Sequence, residues 1–139
     1  MGNNTNGNER DLSEYRIKQA RECLYAAETV LKTSAKNAVN RTYYCIFHAI
    51  RAILALEHFD SKKHSGVISA FRQRYIKTGV FDVSLSLIIG SAFEIRNESD
   101  YEDFVEISES QAMQQIENAK VFLEAVETYL DAHFTAPDV

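Results

Sequence analysis

The sequence predicts an all-α fold, an antiparallel up-and-down helical bundle of four long helices plus one short helix. Three observations carry that prediction. The chain of 139 residues holds one proline and five glycines, too few breakers for a fold of many short elements. Apolar residues recur at spacings of three and four along most of its length. No stretch alternates apolar and polar residues for more than a few positions, so strands are not predicted. The hydrophobic share is 45%, with eight Phe and seven Tyr, enough to bury a core without disulfide staples.

Residues 1–10, MGNNTNGNER, are rich in Asn and Gly and read as a disordered tail. They lack the apolar segment of a secretory leader. One helical domain is expected over 11–133, followed by a short tail at 134–139. Ile17, Ala20, Leu24, Ala27 and Leu31 lie on one face of the first helix, which Asp11 or Ser13 could cap. The second helix runs from about Ser34 to Phe59. Its stripe is Ala35, Val39, Tyr43, Ile46, Ile50, Ile53 and Leu54, widened by Phe47. HFDSKKHSG breaks the pattern. A shorter helix follows with Val67, Ile68, Phe71 and Tyr75, and Gly79 suits the left-handed position after it. Asp82 caps a fourth helix bearing Leu85, Ile88, Ile89, Ala92 and Phe93. Ser108 and Gln111 fit a capping box that opens the last helix. Met113, Ile116, Leu123, Val126 and Leu130 form its stripe.

Net charge is −5, unevenly spread. Residues 32–80 hold nine Lys and Arg against Glu57 and Asp60, a local +7, and the remainder is −12. An acidic total argues against general nucleic-acid binding, but the basic middle could form a local anion-binding surface. Cys23 and Cys45 fall in apolar helical patterns and are read as reduced, in keeping with a cytoplasmic location. No apolar run is long enough to cross a membrane. His58 and His64 flank a turn without a matching set of ligands, so neither a metal nor a cofactor is expected.

RNESDY, Arg96–Tyr101, stands out. The buried steps 85, 89 and 92 continue to 96, so Arg96 extends an apolar face. A guanidinium there needs a partner. The last-turn carbonyls, Glu98 or Asp100 could serve, as could an anionic ligand. On the second helix Asn37, Arg41, Tyr44, His48 and Arg51 step by four and three, a polar and aromatic stripe beside the apolar one. Turned toward Arg96, it would make a basic groove with stacking platforms for a nucleotide or RNA. Turned away, it is an exposed face or a dimer interface.

NRTYYCIFHAIRAIL, HFDSKKHSGVISAF, FEIRNESDYEDF and NAKVFLEAVETYL, in that order, resemble the HEPN domain family over about residues 11–131. The resemblance implies a helical bundle, commonly a homodimer. In ribonucleases of that family an arginine is followed, after four to six residues, by a histidine, and the pair serves metal-independent RNA cleavage. Arg96 matches the arginine. Tyr101, Glu102 and Asp103 occupy the positions open to the histidine, so the chain resembles a branch with an Arg-x-x-x-Asp-Tyr motif. A phenol of ordinary pKa near 10 is a poor general base at neutral pH, though it can donate to a phosphate. Arg96, Asp100 and Tyr101 are then the candidate catalytic residues, with Arg41, Tyr44, His48 and Arg51 contacting nucleotide or RNA. Family members often accompany a minimal nucleotidyltransferase in toxin–antitoxin-like modules, and Tyr101 would be the candidate modified tyrosine. The expectation is a nucleotide- or RNA-contacting partner of such a transferase. The alternatives are a metal-independent endoribonuclease toxin using Arg96 and Tyr101, or a non-catalytic homodimeric scaffold.

Overall fold

Small residues set the axis of the molecule. The second helix, α2 (Ala35–Leu54), buries Ala38, Ala49 and Ala52 completely, so neighbouring helices can approach its backbone closely. In this computed structural model, which describes residues 3–101 and 105–136 with side chains from residue 8, α2 touches every other helix. The others are α1 (Asn3–Val30), α3 (His64–Phe71), α4 (Ser84–Tyr101) and α5 (Glu109–Thr135). A 3-10 turn, Ala55–Glu57, extends α2, and a π-turn, Arg72–Ile76, extends α3. Among the described residues there is no strand.

Side-chain pairs fix the directions. Ser13 on α1 meets Ala52 near the end of α2, while Ala27 clusters with Ala38 and Val39 near its start. The two helices are therefore antiparallel. Lys120 pairs with Glu28, and Arg21 with Glu127, which sets α5 antiparallel to α1. Gln115 on α5 donates to Ser91 on α4 at 2.9 Å, and Ile95 packs with Ala112, so those two also oppose. The four long helices alternate up and down, and α3 packs on α2. Phe71, Phe122, Ile50, Ile53 and Leu54 are fully buried between them. Tyr75, Phe81 and Tyr129 complete an aromatic group around Phe71.

Most expected stripes are buried, and the capping box at Ser108 and Gln111 forms, with both reciprocal hydrogen bonds. Asp82 accepts from the Ser84 amide at 2.9 Å, and Gly79 has φ +85, the left-handed conformation that a side chain would strain. Five details differ from the sequence reading. Helix α1 already begins at Asn3, inside the stretch read as a tail. Tertiary contacts override the weak local propensity. Glu9 meets His58 at 2.6 Å, and the Arg10 guanidinium lies 5.2 Å from the Phe134 ring centre. Ser13 is no cap. It is completely buried mid-helix and donates to the Ala52 carbonyl at 2.9 Å. Helix α2 proper stops at Leu54, because the chain tightens to a 3-10 turn and then reverses at His58, with φ 56. Met113 is 53% exposed and Phe93 47%, each just off its stripe. Helix α5 runs through Thr135, two residues beyond the expected boundary.

Candidate functional site

The loop after α2 is anchored by charge. Asp60 Oδ2 accepts from Arg51 at 2.8 Å and from Arg16 of α1 at 3.5 Å, and Oδ1 accepts from the Ser61 amide at 2.8 Å. Burial acts to raise the Asp60 pKa, but these hydrogen bonds and the two guanidinium charges outweigh it and hold the carboxyl low. Arg16 also donates to the Arg51 carbonyl at 2.9 Å, a second bond to an acceptor that already takes the Ala55 amide. Inside the first turn of α3, Gly66 is required by closeness to the loop. A Cβ there would stand 2.7 Å from Ser61 Oγ.

This anchored loop delivers His64, the first residue of α3, onto the face of α2. Its imidazole stacks on Phe47 with ring centres 4.0 Å apart and planes 26° apart. Its Nδ1 lies 3.0 Å from the Tyr43 hydroxyl. Burial, then the charges of Arg96 and Arg51, push the His64 pKa below its ordinary value. Burial also raises that of Tyr43, against the opposing effect of Arg96.

Arg96 reaches the same face from α4. Its guanidinium carbon lies 4.5 Å from the Tyr43 ring centre and 5.3 Å from that of Tyr44, within cation–π range of both. One Nη donates to the Tyr44 hydroxyl at 3.4 Å, a long contact. Asp100 Oδ2 is 3.6 Å from Nε, an ion pair one turn away but beyond hydrogen-bond reach. Nε is buried and has no hydrogen-bond partner among the described residues. The arginine is thus held in place on two aromatic rings with donor capacity unspent.

The structure brings together Arg96, Asp100 and Tyr44 of the residues expected from the sequence. Tyr44 also lines a cleft of about 440 Å³ with Asn37, Asn40 and the exposed Arg41, so Arg41 lies on the same side of the molecule. His48 is half-buried, with its ring 6.1 Å from those of Tyr44 and Phe47. Its Nδ1 is buried without a hydrogen bond, and burial, followed by the charges of Arg51, Arg16 and His64, lowers its pKa. Arg51 is turned to Asp60 and anchors the loop. The side chain of Tyr101 lies outside the described residues, as do Glu102 and Asp103. Two members of the site escaped the sequence reading. Tyr43 was counted only as core, and His64 only as a weak metal ligand. Among the described residues no three His, Cys, Asp or Glu side chains cluster as a metal site would require.

The bundle is all helical among the described residues, and its fourth helix lays an arginine on a tyrosine pair. A family profile for the HEPN domain matches residues 13–129, and the chain belongs to that family. It is 36% identical to the UPF0332 protein of Thermotoga maritima, over 89% of this chain and 96% of that one. Two proteins of Methanocaldococcus jannaschii named as candidate toxins are also similar. MJ0142 is 33% identical over 82% of this chain and 78% of its own length, and MJ0605 is 30% identical over 82% and 85%.

Proposed function

We propose that this HEPN protein is the nucleotide- or RNA-contacting member of a toxin–antitoxin-like pair, working with a minimal nucleotidyltransferase. The single observation that carries the reading is the state of Arg96. A cation that is fixed by two rings and only loosely paired with Asp100 has charge to offer a phosphate. Arg41 and Tyr44 extend the surface along α2 for the rest of a ligand. The names of the two Methanocaldococcus relatives support the toxin side. The transferase comes from the family resemblance alone, and Tyr101 would be the side chain it modifies. Homodimerisation belongs to the same reading, supported by Val83 and Leu87, which lie one turn apart and are 66% and 72% exposed.

The test is binding of a labelled single-stranded oligoribonucleotide by wild type and Arg96→Ala, with size-exclusion chromatography after co-expression with a nucleotidyltransferase encoded nearby. Loss of binding in the variant and a stable complex are expected. Equal binding by both proteins would remove the site, and absence of any complex would remove the partner.

A second reading, metal-independent RNA cleavage, is favoured by one observation. Two half-buried histidines, His48 and His64, surround the tyrosine pair under Arg96 even though positions 101–103 hold none. Incubation with RNA in EDTA checks it. Cleavage that survives Arg96→Ala would place the activity elsewhere.

A further inference from the structure

Arg96 and His64 come from different helices, 32 positions apart in the chain, yet they engage one tyrosine. The guanidinium covers the ring of Tyr43 at 4.5 Å, and the imidazole takes its hydroxyl at 3.0 Å. Tyr44 stands edge-on to the same imidazole, with centres 5.9 Å apart and planes at 88°. Phe47 stacks on that imidazole, with ring centres 4.0 Å apart. Such a lattice of rings is more than hydrophobic filling demands, because it orients both polar groups toward one surface of α2.

We infer that His64 is the second phosphate-contacting side chain of this site, bracketing with Arg96 one phosphate group of a ribonucleotide strand, and that Tyr43 is the residue that positions it. The inference rests on the proposed role of Arg96. Its chemistry follows from the hydrogen bond. Burial keeps the Tyr43 phenol protonated, and its O–H is assigned as the donor to Nδ1; the opposite tautomer would have Nδ1–H donate to the phenol oxygen. A neutral imidazole with Nδ1 accepting must carry its proton on Nε2. Nε2 has no hydrogen-bond partner among the described residues, and an N–H donor there complements the charge of Arg96. The groups facing His64 are Tyr43, Tyr44, His48 and Arg51 from α2 and Arg96 from α4. None is an anion. A bound phosphate would be the first negative charge against the ring, and it would raise the titration midpoint of His64.

Two measurements test this on the full chain. In the first, fluorescence anisotropy follows a labelled single-stranded oligoribonucleotide, with ATP as a parallel competitor arm. His64→Ala should weaken binding roughly tenfold or more, the size expected for a hydrogen bond to a charged group, and His64→Gln should recover part of it. The second uses nitrogen NMR of the wild-type imidazoles and needs no variant to fold. The free protein should show the Nε2–H tautomer at His64, and ligand should move the His64 midpoint upward. Binding by His64→Ala equal to wild type, with Arg96→Ala defective, would overturn the bracket and leave the role of Arg96 standing. So would a His64 midpoint unmoved by a ligand that does bind. Failure of wild type to bind either probe, or indifference of both variants, would overturn both.

Discussion

Arg96 shows why charge alone is a poor description of a residue. A lysine would keep the charge but lose the flat guanidinium that lies on Tyr43 and Tyr44 and the fork that leaves Nε free. Arg96→Lys is therefore expected to bind an oligoribonucleotide nearly as poorly as Arg96→Ala. It should also cost about 1 kcal/mol of stability from the lost stacking, read by urea denaturation. Wild-type affinity in the lysine variant would show that a point charge suffices. The position of Arg96 was legible in the sequence, because the helical step from 85, 89 and 92 arrives there. Its pairing with Asp100 was legible for the same reason, since four residues make one turn. His64 was not. Its neighbours Tyr43 and Phe47 are brought to it by the packing of α3 on α2, and no local spacing encodes that contact. Tyr43 was hidden differently. Its place on an apolar stripe gave its ring a sufficient role and concealed the work of its hydroxyl.

At the scale of the element, the loop between α2 and α3 depends on one carboxylate. Asp60 joins Arg16, whose side chain is 9% exposed, to Arg51. Asp60→Ala leaves a largely buried guanidinium with only the Arg51 carbonyl. We expect a loss of about 1–2 kcal/mol in chemical denaturation, with a smaller loss for Asp60→Asn. The variant should also disturb the His64 ring resonances, because the loop presents that residue. A His64 environment unchanged in Asp60→Ala would separate the clamp from the site. Helix identities were legible from periodicity, and so were three punctuation marks, Gly79, Asp82 and the Ser108 box, since each acts on its own neighbours. The start of α1 and the end of α2 were not. The first has distant partners, His58 against Glu9 and Phe134 against Arg10, and the second turns on the left-handed conformation of His58, which its residue type does not announce.

The whole molecule carries its histidines in a way that makes its stability depend on pH. His48 and His64 both sit below the ordinary histidine value, chiefly through burial, with Arg16, Arg51 and Arg96 adding like charge. The unfolded chain takes up protons near pH 6.5, while the folded chain resists until lower pH. Stability should be full above about pH 6.5 and decline as pH falls toward the folded-state values. Denaturation midpoints measured across that range check the sign. A midpoint that rises as pH falls from 7 would contradict it, and a His48→Gln, His64→Gln double variant should flatten the decline.

The helix that gathers the others around its alanines has a kinetic consequence. Amides buried on all sides can exchange with solvent only when the whole domain opens, so α2 should hold the slowest-exchanging protons in the chain. Tyr43, Tyr44, Phe47 and His48 ride on that helix. The floor beneath Arg96 is therefore as durable as the fold itself. A ligand arriving there would meet rings already set, and little of its binding energy would go to ordering them.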